Sequence, residues 1–166
     1  MTEQAGYYGK RCKWHSWGSE DEVISQAEVK EMAVRVGKRL GIDEPVVLSD
    51  PTLEEIELRE SRISIPASLS SFCNSDKGDR VSHSYGKSFK DLTRIFRRDF
   101  TNPPDVIAYP RNEAEVAAVL DWCGDNGYAA IPYGGGSSVT DGFTAPEDCD
   151  GSGSIDLGNM NQGLEV

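Results

Sequence analysis

The residues best suited to chemistry lie in Ile131-Pro132-Tyr133-Gly134-Gly135-Gly136-Ser137-Ser138-Val139. Three consecutive glycines follow an apolar run, and two hydroxyl residues follow the glycines. Backbone without Cβ atoms takes positive φ readily and can come very close to a ligand. Successive N–H groups can then point into one concavity and cradle anionic oxygens, with Ser137 and Ser138 adding hydroxyl donors. Phosphate binding is the chemistry suggested; an ordinary turn is the alternative.

Two well-known phosphate loops are excluded by spacing. No Gly-Lys-Ser/Thr follows the glycines, so the pattern of nucleotide triphosphate hydrolysis is missing. Nor does the stretch read Gly-x-Gly-x-x-Gly after a first strand and into a helix, as a Rossmann fold requires.

The elements that would position the loop can be read around it. Val106-Ile107-Ala108-Tyr109 reads as a strand closed by Pro110. Asn112-x-x-Glu115 resembles an N-cap with its acidic partner, and Val116, Val119, Leu120 and Cys123 follow at helical spacing. Asn126-Gly127 ends that helix, and Tyr128 to Ile131 forms a second strand. This strand–helix–strand unit is expected to build a parallel pair, with the glycine loop at the carboxyl end, where open α/β sheets bind ligands. A further strand is expected at Ser154–Leu157, after a polar insertion from Thr144 to Gly153, and another starts at Leu164-Glu165-Val166. A chain that stops inside a strand is expected to be a piece of something longer.

Upstream, Ser19-x-x-Glu22 reads as a capping box opening a helix. Its apolar face is Val29, Met32, Ala33, Val36 and Leu40, and Gly41 stands at the C′ position. Pro45, Pro51 and Pro66 break residues 42–66 into a connector carrying the acidic patch Glu54-Glu55-Ile56-Glu57, and a short helix is expected around Ala67–Cys73. Gly86–Asp99 reads as a helix with Phe89, Leu92 and Phe96 on one side and Lys87, Lys90, Arg94, Arg97 and Arg98 on the other. That basic face either meets an anionic partner or is a solvated face paired with the acidic patch; charge runs favour the second.

Length suits about one domain, and a 37% hydrophobic content suits a globular chain. A net charge of −11 argues against a nucleic-acid binder, which needs Lys and Arg against phosphates. Cys12, Cys73, Cys123 and Cys149 form no Cys-x-x-Cys pair, and His15 and His83 complete no zinc spacing, so free thiols in a reducing compartment are expected. No signal peptide and no run long enough to span a membrane is visible, which suits a cytoplasmic chain. Trp14 and Trp17 read better as packing residues than as a recognition spot.

The stretches Asp105–Val116 and Ile131–Val139 together resemble the opening of the FAD-binding domain of the vanillyl-alcohol oxidase (PCMH) type. Lys13–Gly18, Asp79–Ser88 and Ser154–Asn161 extend the resemblance to the alkyldihydroxyacetonephosphate synthase family and its bacterial homologues. The resemblance implies a mixed α/β (α+β) fold: a helical N-terminal region over 1–100, then the start of an FAD domain over 101–166, incomplete at its C-terminus. It implies FAD as cofactor, with Pro132, Tyr133, Gly134, Gly135, Gly136, Ser137 and Ser138 around the pyrophosphate and Gly142 as a weaker candidate. The family's catalytic residues would fall beyond Val166, so no catalytic residue and no metal ligand is assigned.

Exchange of an acyl for an alkyl chain in ether-lipid synthesis is the activity implied, on a lipid-like substrate. Oxidation of a D-2-hydroxy acid or an alcohol on the same fold stays open, since the loop reads pyrophosphate and not substrate. So does a non-catalytic piece that holds no cofactor stably. Peripheral membrane contact and a homodimer are further expectations.

Overall fold

The computed structural model describes residues 12–160. Its first helix, α1 (Gln26–Leu40), begins at Ser25, whose side chain accepts from Glu28 N–H while Glu28 reaches back to the Ser25 N–H. Two Ser-x-x-Glu patterns stand in tandem, and the second opens the helix. The first, Ser19/Glu22, closes a turn through Glu22 N–H to the Ser19 carbonyl (3.0 Å). Gly41 ends α1 in the left-handed region (φ 68°), as the sequence indicates. The apolar face of α1 stays largely uncovered, with Met32, Val36 and Leu40 exposed.

The remaining elements are β1 (Cys73–Asn74), α2 (Lys77–Ser82), α3 (Phe89–Phe96), β2 (Val106–Ala108), α4 (Glu113–Asn126), β3 (Ala129–Tyr133), β4 (Ser152–Asp156) and a 3-10 turn at Leu157–Asn159. Residues 67–72 are a run of turns leading into β1, where a short helix was expected. The helix expected over 86–99 is shorter, because Ser88 caps it by accepting from Asp91 N–H, so Gly86 and Lys87 lie ahead of it. Phe89, expected on the packed side, sits in the first turn and is almost fully exposed; Ile95 is the buried apolar residue of α3.

The strands form one four-stranded sheet in the order β1-β2-β4-β3. β1 is antiparallel to β2, while β4 is parallel to both β2 and β3. The strand–helix–strand reading of β2-α4-β3 is therefore right in direction and wrong in adjacency: β4 lies between the two. The strand expected at Ser154–Leu157 starts two residues earlier, since the polar Ser152 is paired by Asp105. The strand expected at Leu164–Val166 lies outside the described residues.

Alternation along β4 sorts its side chains. Gly153 and Ile155 face α4, where Val119 and Cys123 pack with Val106, Ala108, Leu69 and Cys73 in one core. Fully burying a side chain such as Val119 contributes about 1.5–3 kcal/mol. Ser152 and Asp156 face the other way, toward Asp105 and toward His83 at the end of α2. A second core of Ile56, Val81, Tyr85, Ile95 and Phe100 joins α2 to α3, with Trp14 packed on its edge 6.3 Å from the Phe100 ring. Trp14 is thus a packing residue, whereas Trp17 is more than half exposed. Cys73 and Cys123 are buried free thiols, Cys12 and Cys149 more accessible ones.

Candidate functional site

The glycine loop leaves the sheet at the carboxyl end of β3, directly after Tyr133. Gly136 is in the left-handed region (φ 67°), whereas Gly134 and Gly135 are not at positive φ. That change of hand between successive residues is what turns neighbouring N–H groups into one concavity. Among the described residues, the N–H groups of Gly134, Gly135, Gly136 and Ser137 donate to no protein acceptor. A Cβ added at Gly134 or Gly135 would meet nothing within 4 Å, so both positions border open space. A run of bare donors on open backbone fits an anionic group such as the FAD pyrophosphate.

The other loop residues divide between an open side and a scaffold side. Pro132 and Ser137 are exposed, and Ser137 makes no side-chain hydrogen bond within the described residues. Ser138 is used internally: its Oγ accepts from Gly142 N–H (3.1 Å) and Thr140 N–H (3.4 Å), closing the loop on itself. Gly142 therefore belongs to the closure of the loop. Tyr133 is buried, donates to the Ser82 carbonyl (3.2 Å), and is held between His83 and Phe143, with ring centroids 4.2 and 4.6 Å away. Burial, with Asp156 nearby, pushes its phenol well above the usual tyrosine range. A Cβ on Gly136 would run into the Tyr133 hydroxyl, so that glycine is fixed by the tyrosine as well as by its own φ.

Supports from the N-terminal half were not visible in the loop's own sequence. A Cβ on Gly86 would strike the Ser138 carbonyl, which accepts from Lys87 N–H (2.6 Å). Only glycine at position 86 allows that approach. Lys87 Nζ turns inward and donates to the Lys13 and Trp14 carbonyls (3.0 and 2.7 Å), tying the tryptophan segment to the loop. Burial lowers the Lys87 ammonium to about 8, with Cys12 and Asp91 opposing the shift. Lys90 pairs with Asp141 on the returning limb of the loop (2.6 Å), and Ser88 donates to the same carboxylate. Arg98 pairs with Glu55 (2.9 Å), and Arg94 lies over the Tyr85 ring. The basic face of α3 is thus mostly spent on contacts within the chain, including the acidic patch upstream.

His83 and Asp156 complete the floor of the site. The His83 ring is buried, with Nε2 3.0 Å from Asp156 Oδ2 and Nδ1 2.7 Å from the Asp79 carbonyl. Asp156 Oδ1 accepts from Gly158 N–H (2.7 Å) and so caps the 3-10 turn after β4. The only signal for these supports in the sequence was the resemblance of Asp79–Ser88 and Ser154–Asn161 to one family. Among the described residues no cluster of side chains could hold a metal ion, and no helix is long and apolar enough to cross a membrane.

Residues 104–166 match the family described as FAD binding domain. The alkyldihydroxyacetonephosphate synthase of Dictyostelium discoideum is 33% identical over 91 residues, 55% of this chain and 15% of that protein. A mitochondrial D-lactate dehydrogenase (cytochrome) of Arabidopsis thaliana is 36% identical over 61 residues, 37% of this chain and 10% of that protein. A solved alkyldihydroxyacetonephosphate synthase superposes with a TM-score of 0.72 at 23% identity, over 93% of this chain and 34% of the solved one. The chain thus spans well under half the length of the proteins it matches. The mixed α/β fold is that of the synthase, and the cofactor of the matched domain is FAD. Residues 104–166 are thus similar to the FAD binding domain, in a chain whose fold is that of a solved alkyldihydroxyacetonephosphate synthase.

Proposed function

We propose that this chain is the FAD-holding part of a flavoenzyme, with Pro132, Tyr133, Gly134, Gly135, Gly136, Ser137 and Ser138 forming the pyrophosphate loop. The observation that carries this reading is the run of unengaged N–H groups from Gly134 to Ser137, on open backbone at the carboxyl end of β3. Gly134 and Gly135 would admit the phosphates, the N–H groups and the Ser137 hydroxyl would donate to them, and Tyr133 with Gly136 would hold the loop's shape. Residues 101–166 form the start of the FAD domain in this reading, and residues 1–100 a region that braces it. FAD supplies the group-transfer or redox chemistry when bound; this chain contributes binding and orientation.

The test is titration of the purified chain with FAD, followed by the flavin absorbance and fluorescence. Binding near unit stoichiometry that is lost in Gly135→Val supports the reading. A colourless chain that leaves flavin fluorescence unchanged would mean that this polypeptide alone holds no cofactor.

For the whole protein the proposed activity is that in the name of the synthase relatives: alkyl for acyl exchange on a dihydroxyacetone phosphate ester, in the cytoplasm. The exposed apolar residues Met32, Val36 and Leu40 of α1, flanked by Lys38 and Arg39, support peripheral contact with a lipid surface. Vesicle sedimentation tests that contact, and analytical ultracentrifugation tests a homodimer. The similarity to a D-lactate dehydrogenase favours a second reading, oxidation of a D-2-hydroxy acid. Bleaching of the flavin by D-lactate, without acyl–alkyl exchange, would select it.

A further inference from the structure

Among the described residues, two that are not glycine stand at positive φ, Arg98 (60°) and Asp141 (57°). Arg98 directly follows α3, where a left-handed residue is an ordinary way to end a helix. Asp141 ends no helix. It lies on the returning limb of the glycine loop, in a conformation that costs any side chain energy and that glycine would take freely. Such a conformation persists only where the surroundings hold it.

The hold comes from the start of α3. Asp141 Oδ1 accepts from Ser88 Oγ (3.1 Å), and Oδ2 accepts from Lys90 Nζ (2.6 Å). Ser88 is itself fixed as the N-cap of α3, its Oγ accepting from Asp91 N–H (3.0 Å). The neighbouring Lys87 N–H donates to the Ser138 carbonyl (2.6 Å). Residues 87–90 therefore grip the loop at two points, Ser138 and Asp141. Between and just beyond those points the loop closes. Gly142 N–H returns to Ser138 Oγ (3.1 Å), and Thr144 N–H donates to the Asp141 carbonyl (3.2 Å). The turn at Asp141 thereby brings Phe143 back onto the Tyr133 ring, with centroids 4.6 Å apart. Tyr133 and Phe143 stand on either side of residues 134–142, so their contact completes the ring of backbone that carries the unengaged N–H groups.

We infer that Ser88 and Lys90 hold Asp141 in the left-handed conformation that closes the glycine loop, which makes all three positioning residues for the anion that the loop receives. The inference rests on the flavin reading for that anion, but not for the closure itself. The Lys90 and Asp141 side chains are 59% and 33% exposed, so as a plain surface ion pair they would contribute little. Their consequence lies in the backbone that the pair restrains.

Substitutions at positions 90 and 141 of the full chain separate a restraint from a plain ion pair, with FAD titration as the readout. Lys90→Met should weaken binding about fivefold. Asp141→Ala keeps the costly backbone without its restraint and should weaken binding about tenfold. Asp141→Gly loses the same ion pair but relieves the backbone, so its affinity should stay within about twofold of the unmutated chain. Adding Asp141→Gly to Lys90→Met should restore most of the loss. Glycine no better than alanine at 141, or no recovery in the double variant, is the behaviour of a plain ion pair and overturns the inference. Denaturant midpoints measured without FAD should follow the same order, with Asp141→Ala below Asp141→Gly; the opposite order also overturns it. If the unmutated chain binds no FAD, those midpoints decide the closure, and the role toward an anion falls together with the flavin reading.

Discussion

The two ends of β4 meet opposite demands. At the amino end Asp105 is fully buried, and its carboxylate accepts from Arg59, from Arg62 through side chain and backbone, and from Ser152 N–H (2.9 Å). Arg80 fills the space behind, donating to the Pro104 and Arg59 carbonyls. At the carboxyl end the His83–Asp156 pair is equally buried, yet the loop beside it leaves successive N–H groups unmatched. One end spends its polar groups on holding the chain together; the other keeps donors in reserve at an open surface. Bare donors are tolerable there because water reaches an open surface and can satisfy them.

The largest effect should come from breaking the closed end. Asp105→Ala leaves Arg59 and Arg62 without their shared carboxylate and should cost about 3 kcal/mol, read as a lowered denaturant midpoint. Burial alone would raise the Asp105 carboxyl, but the Arg62 and Arg59 guanidiniums overcome this and hold it well below the usual range. Its folded value is depressed, so its contribution is complete above the unfolded value of about 3.9 and is lost as pH falls through the folded one. Acid unfolding of the unmutated chain should therefore steepen below about pH 4, and Asp105→Asn should remove that component.

Within the loop, two neighbouring glycines should behave differently. Gly136→Ala forces a Cβ into the left-handed region and against the Tyr133 hydroxyl, and should cost about 1–3 kcal/mol in thermal or denaturant unfolding. At Gly135 an added Cβ meets no protein atom within 4 Å, so the stability of Gly135→Val should stay within about 0.5 kcal/mol while FAD titration shows binding lost. Equal destabilisation by both would mean that the open rim is part of the scaffold.

A pH-dependent effect concerns Lys87, whose ammonium is lowered by burial to about 8 from 10.5. Between those values the unfolded chain binds more protons than the folded one, so stability rises with pH across that window. The difference in denaturant midpoint between the unmutated chain and Lys87→Met should move in favour of the lysine from pH 8 to 10.5. A flat difference would place Lys87 Nζ in solvent.

Legibility in the sequence followed the range of the interactions. Asn112, Glu115 and Gly127 bound α4 through contacts a few residues apart, and they could be read directly. The glycine loop was readable because absent side chains are a local property. α2 was missed because Lys77-Gly78-Asp79-Arg80-Val81-Ser82 contains a glycine and is too short to show periodicity; its work is done by Arg80 and by His83 just beyond it. The position of β4 was missed because Ser152-Gly153-Ser154 has no apolar alternation, its polar side chains being matched by residues far away in sequence. Gly86, His83 and Asp156 serve the loop across long separations, so single-sequence patterns carry no mark of their role.

The placement of β4 between β2 and β3 also sets an order of events during synthesis. β2, α4, β3 and the glycine loop all leave the ribosome before Ser152–Asp156. Until that strand arrives, β2 and β3 have no shared partner, and the nascent loop has neither its floor nor its in-register neighbour. Pairing that waits for later sequence is slow and leaves strand edges exposed in the meantime. The glycine loop therefore gains its floor in one late step, when a short polar strand enters between two that were made before it.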